Sequence, residues 1–234
     1  MAETEIDYVL KREIKLNLPH YLWTELFHVD DLDELSACTS IWLTDLARRL
    51  PCTACLDGFD VFHEAAPPAG CLPPNVAFHQ YDIHSDAPDY LRGIYDIVHV
   101  RNTKPCASKQ TKPSGYLQLG EPDVSSLRIE HTAPNAHVSA LNELTELTLG
   151  IDARLRPTWC GVGDVQAHIR DAPLHLALAN HECNLVLHEL TARKMRSTAV
   201  GQRLADLMPH AVQETRAGVF CAFKRWNVVG RKAA

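Results

Sequence analysis

Twice in the first half of the chain, a short apolar run with strand-like alternation stops at an acidic residue. Thr53 to Val61 reads TACLDGFDV and closes on Asp60, while Leu72 to Tyr81 alternates Val76, Phe78 and Gln80 and then meets Asp82. A third run, Gly93 to Val100 (GIYDIVHV), is apolar enough to be buried on both faces, as parallel strands are. Ahead of them, Ser36 to Leu50 carries Ile41, Leu43, Leu46, Ala47 and Leu50 as an apolar stripe, with Thr39 or Ser40 to supply the N-cap oxygen and Pro51 as the stop. A helix followed by strands of this kind is α/β order. The pattern predicts a doubly wound, mostly parallel sheet.

The rest of the chain fits around that frame. Tyr8 to Phe27 has apolar side chains at helix-like spacing and Pro19 inside the run, which predicts two short helices. Arg101 to Ser114 (RNTKPCASKQTKPS) is polar and proline-broken, and Gly115 to Leu119 resumes as strand. Parallel neighbours need a crossover of about a dozen residues or more, usually a helix, and this link carries no helical periodicity. Beyond Pro122, Val138 to Ile151 and Pro173 to Met195 read as helices, Gly201 to His210 as another, and Gly218 to Val229 as a closing strand or hairpin. The expected segments are residues 1–30 closing the pocket, 31–123 as the cofactor-binding core, 124–195 as a helical cap or substrate region, and 196–234 returning to the sheet.

Composition narrows the function classes. With 23 Lys plus Arg against 29 Asp plus Glu, the net charge of -6 has the wrong sign for a nucleic-acid protein held by phosphate contacts. No stretch approaches the roughly 18 to 20 apolar residues of a membrane span. The acidic start, Met1 to Asp7, lacks the basic and apolar regions of a secretory signal, so a cytoplasmic protein with free thiols is expected for its 8 Cys.

In an open α/β sheet, ligands sit beyond the carboxyl ends of the strands, which makes Asp60 and Asp82 the residues to weigh. One carboxylate can accept both hydroxyls of a ribose and another can face an adenine edge. The plainer reading is that each acid caps the next helix. Cys52 and Cys55 form a CxxC, but it leads into a strand rather than opening a helix, which disfavours redox use. His181 and Cys183 lie about 200° apart on one helix at about 100° per residue, so with His188 they make a poor metal set, and no metal is expected. The leucines from Leu174 to Leu190 read as core or as the wall of an apolar pocket.

Seven segments in order, LNLPHYLW, SIWLTDLARRLP, DGFDV, LPPNVAFHQYDI, YDIVHVRN, KPSGYLQLGEPD and VVGRK, together resemble the fungal class I S-adenosylmethionine-dependent methyltransferases of secondary-metabolite clusters. The resemblance covers nearly the whole chain. It implies a Rossmann-like fold, S-adenosylmethionine as cofactor, and methyl transfer to a small, apolar acceptor. It places the ribose-binding acid at Asp60 with Val61, the adenine contacts at Asp82 and Ile83, and the edge where cofactor and acceptor meet at Val100 and Arg101. The family's glycine-rich loop falls on Leu32 to Ser40, LDELSACTS, where Ala37, Cys38 and Thr39 stand and no glycine remains. A Cβ there crowds the cofactor or demands another loop path. A base to take the acceptor's proton would be a histidine: His20, in the segment that closes the pocket in this family, or His99, with His131 and His137 as further candidates. Two alternatives stay open. One is a cyclase or rearrangement catalyst on the same scaffold. The other is a non-catalytic partner, a homodimer or a pairing with a related chain, docked through a sheet face that the missing crossover helix leaves uncovered.

Overall fold

The computed structural model describes residues 21–26, 39–61, 67–82, 85–101, 109–152 and 162–234. His20, Ala37, Cys38 and Ile83, and with them most of the N-terminal segment and of the glycine-free loop, lie outside the described residues. By its internal contacts the chain divides into two compact units, one of Trp23–Glu121, Arg156–Ile169 and Trp226–Ala234, the other of Met1–Leu22, Pro122–Leu155 and Arg170–Arg225.

In the first unit, helix α1 (Thr39–Arg49) runs into strand β1 (Leu56–Asp60), followed by β2 (Val76–Gln80), β3 (Tyr95–Arg101) and β4 (Thr111–Pro122). Leu43 and Leu46, one turn apart, are the buried side of α1. Arg48 and Arg49 in its last turn suit the negative end of the helix dipole. Strands β1 and β2 are parallel and in register from Leu56↔Val76 to Asp60↔Gln80, and α1 packs against both. Gly58 permits this closeness: a Cβ there would strike the Phe78 ring and lie 2.7 Å from Leu43 Cδ1.

Strands β3 and β4 are also parallel, so the expected α/β class with parallel neighbours is what the chain adopts. They belong to a four-stranded sheet of order β3-β4-β8-β6, where β6 is Val162–Arg170 and β8 is Arg225–Lys232. Val100, Leu117 and Leu119 form its buried cluster, with Val98 and Val162 packed against them. Strand β4 is longer than the expected Gly115 to Leu119. Its backbone returns early, since Gly93 N donates to Lys109 O and Ile94 N to Gln110 O, both at 3.0 Å. The register then slips from Tyr95↔Thr111 to Ile97↔Tyr116. Lys112 to Gly115 bulge out of the ladder, with Ser114 at φ 61. A proline and a bulge inside a strand erase the alternation that a sequence reading depends on.

The second unit holds β5 (Arg128–His131), α2 (Ser139–Asp152), α3 (Leu174–Lys194), α4 (Ala199–Arg216) and β7 (Val219–Ala222). Strands β5 and β7 pair antiparallel. Leu141, Leu144, Leu185, Leu204, Leu207 and Val219 lead its core. The leucine run of α3 is only partly interior: Leu176, Ala177, Asn180, His181, Cys183 and Leu185 are buried, whereas Leu174, Leu178 and Leu187 are exposed. The stretch expected as a closing strand or hairpin is two strands, β7 in this unit and β8 in the four-stranded sheet, separated by Phe223 and Lys224. Likewise the stretch 124–195 is not helical throughout, because it contains β5 and β6.

His181 serves this core. Cys221 N donates to its Nδ1 at 3.2 Å, so the proton sits on Nε2, which meets Thr215 Oγ1 at 2.8 Å, and the Thr215 hydroxyl in turn donates to Ala211 O. Burial foremost, and then the neighbouring His188, holds this imidazole down at about 4, so it is neutral. Among the described residues no group of three His, Cys, Asp or Glu is placed to hold a metal ion, and no described helix is long and apolar enough to cross a membrane.

Candidate functional site

Asp60 ends β1, and Asp82 lies two residues beyond the end of its parallel neighbour β2, at the same edge. Asp60 is the last residue of β1 and stands opposite Gln80. Tyr81 N donates to its carbonyl at 3.0 Å, and Gln80 Nε2 donates to Val61 O at 3.1 Å, which latches the two strand ends together. Both acids are exposed, and Val61, next after Asp60, is 43% exposed. The Asp82 carbonyl takes Ser85 N and Ser85 Oγ at 2.9 and 2.6 Å. The next turn, Asp89–Leu91, starts at Pro88 with no side-chain cap, so Asp82 does not serve it as a helix cap.

Across the same strands runs a polar-aromatic knot for which the sequence gives no local signal. The Tyr95 hydroxyl on β3 donates to Asp57 Oδ2 on β1 at 3.0 Å, and His79 Nε2 on β2 meets Asp57 Oδ1 at 2.9 Å. Phe59 stacks on His79 with centroids 5.3 Å apart and takes Tyr81 and Tyr95 edge-on at 5.9 and 6.0 Å. Burial, and then the bond to the Asp57 carboxylate, pushes the Tyr95 hydroxyl well above its ordinary range, so it remains a donor. The signal in the sequence was polar residues set among apolar ones on three strands, but nothing local says that they meet.

The remaining candidates separate. Thr39 opens α1. Val100 is buried in the β3–β4 cluster, and Arg101 ends β3 opposite Gly120. His99, just ahead of them, is half-buried with its ring 4.9 Å from that of Trp42 on α1. Its Nδ1 meets Gln118 Oε1 at 3.0 Å, and Gln118 Nε2 donates to Asn227 Oδ1 at 3.0 Å. His131 and His137 are exposed in the other unit, at the end of β5 and ahead of α2.

No family model matches the chain. It is similar to the N-methyltransferase tcpN of Claviceps purpurea (strain 20.1), 31% identical over 100 residues that cover 37% of this chain and 36% of that protein. It is also similar to the methyltransferase grgD of a Penicillium species, 29% identical over 153 residues, 54% of this chain and 52% of that one. The chain thus spans between a third and about half the length of these two fungal proteins. Among solved structures, an S-adenosylmethionine-dependent methyltransferase from Thiobacillus denitrificans in complex with S-adenosyl-L-homocysteine is similar over 100% of both chains, at 12% identity and a TM-score of 0.46.

Proposed function

We propose that this chain binds S-adenosylmethionine beyond the carboxyl ends of β1, β2 and β3 and directs methyl transfer to a small, apolar metabolite. The observation that carries the reading is the pair of exposed carboxylates, Asp60 at the end of β1 and Asp82 just past the end of the parallel β2. As acceptors they suit the cofactor: Asp60 would accept from both ribose hydroxyls, and Asp82 would face the adenine edge. When bound, the cofactor supplies a methyl group already activated on a sulfonium. What remains for the protein is to hold the acceptor in line and take its proton, and His99 is the candidate for the second task. Similarity to two fungal methyltransferases over part of their length supports the same reaction class. The apolar acceptor follows from the resemblance in the seven segments.

The test is transfer of label from methyl-labelled S-adenosylmethionine to a panel of small apolar phenols and amines. Wild type should label at least one acceptor. Asp60→Ala, which loses hydrogen bonds to a charged acceptor worth about 1.5 to 3 kcal/mol, should fall by about tenfold or more. Cofactor binding without label transfer to any acceptor would favour rearrangement chemistry instead.

A second feature points to association with another copy. Ile97 and Tyr116 lie side by side on β3 and β4 and are 63% and 47% exposed. Exposed apolar side chains paired on a sheet are material for an interface, and we infer a homodimer formed through this pair.

A further inference from the structure

Strand β6 (Val162–Arg170) stands last in the four-stranded sheet, with β8 on one side and, among the described residues, no strand on the other. Successive residues of a strand point to opposite faces, so a strand covered on one face alternates buried and exposed positions. In β6, Gly163, Asp164, Val165, Gln166 and Ala167 are exposed in succession. Both faces are open there, and the free edge offers a row of N–H and C=O groups to another strand. Val165 and Ile169, four apart and so on one face, are each 48% exposed. Asp164 and Arg170 flank that stretch, and neither has a partner among the described residues. Asp164, at φ 50, breaks the regular pleat, so the ladder open to a partner starts at Val165 and is short.

The stretch is complementary to itself. A second copy of β6 laid antiparallel about a two-fold axis at Ala167 sets Val165 opposite Ile169 of that copy and Asp164 opposite its Arg170, at both ends by symmetry. Apolar meets apolar and acid meets base, the cross-strand pairs that stabilise a sheet. Centring the axis on Gln166 instead puts Val165 against Ala167, and centring it on His168 puts Val165 against Asp171. A parallel copy in register sets Asp164 against Asp164 and Arg170 against Arg170. The antiparallel register at Ala167 alone satisfies every pair.

We propose that β6 is an interface strand through which two copies of this chain pair antiparallel about Ala167, joining two four-stranded sheets into one of eight. A two-fold contact of this kind closes on itself, because each copy spends its one β6 edge. It is independent of the pairing inferred through Ile97 and Tyr116, which lie on β3 and β4 away from this edge. Either contact alone gives a dimer.

The experiment oxidises single-cysteine variants of the full chain mildly and identifies the cross-linked peptides by mass spectrometry, with wild type as control for the exposed Cys52, Cys55 and Cys71. Ala167→Cys places a thiol opposite its own copy, where opposed Cα atoms are about 4.5 to 5.5 Å apart and within disulfide reach. It should give a dimer linked through position 167. Val165→Cys lies four residues along the ladder from its own copy, about 13 Å away, and should give no link through position 165. Sedimentation is run in the Ile97→Lys background, which leaves β6 as the contact that is read. That chain should still dimerise, and adding Arg170→Glu, which sets carboxylates against each other at both ends, should weaken the dimer by about tenfold. An Ile97→Lys chain that stays monomeric at high micromolar concentration overturns the proposal and leaves the Ile97–Tyr116 pairing standing. Equal cross-linking through positions 165 and 167, or an Arg170→Glu chain that associates as strongly, also overturns it.

Discussion

His181 is held on both ring nitrogens in the interior of one unit, whereas His99 is half-buried on β3 with its Nδ1 against Gln118. His181 is 1% exposed and kept neutral at about 4, below the ordinary 6.5. As pH falls, the unfolded chain takes up this proton first, so the stabilisation is complete above about pH 6.5 and is lost on the way down to about pH 4. A shift of that size corresponds to about 3 kcal/mol. Urea midpoints measured between pH 7 and 4.5 should fall more steeply for wild type than for His181→Gln, and equal slopes would remove His181 as the cause. Asp60 and Asp82 could be picked out from the sequence because strand-end acids have a topological meaning. Trp42, Gln118 and Asn227 could not, since Gln118 and Asn227 meet across 109 positions of chain and no local pattern records such a meeting. What the sequence does carry is a glutamine and an asparagine lodged in otherwise apolar strands.

At the scale of elements, two devices were invisible to periodicity. The N-terminus of α2 is closed by a side chain from another helix: Glu214 of α4 accepts Ala140 N and Leu141 N, both at 2.9 Å, within a buried setting. A carboxylate at that end suits the helix dipole and satisfies two of the orphan backbone donors. Glu214→Ala should lower stability by about 2 kcal/mol in chemical denaturation, whereas a loss within error would mean that water caps the helix equally well. The second device is the bulge in β4. A Cβ on Gly115 would lie 2.8 Å from Asp96 O and 2.9 Å from Thr111 Cγ2, so Gly115→Ala should cost about 2 kcal/mol through backbone displacement. An alanine variant of wild-type stability would refute that packing. The strands missed from sequence share a reason. β5 has 4 residues, too few for a pattern, and in β6 Gly163 to Ala167 are all exposed, so no apolar alternation was needed.

For the molecule as a whole, the α/β order of α1 through β3 was readable because parallel strands are apolar and end in recognisable residues. The partition into two units was not, because one strand of the four-stranded sheet, β8, follows directly on β7 of the other unit. The exposed pair Ile97 and Tyr116 predicts a concentration-dependent dimer in sedimentation, weakened by Ile97→Lys with little change in unfolding midpoint; a wild type that stays monomeric at high micromolar concentration would contradict it. Everything proposed about chemistry depends on whether the edge at Asp60 and Asp82 takes a nucleoside cofactor. The direct measurement is calorimetric titration of wild type and Asp60→Ala with S-adenosylmethionine and S-adenosylhomocysteine. Both should bind wild type in the micromolar range and the variant at least tenfold more weakly. No heat of binding at millimolar cofactor, or equal affinity for the two proteins, would contradict it.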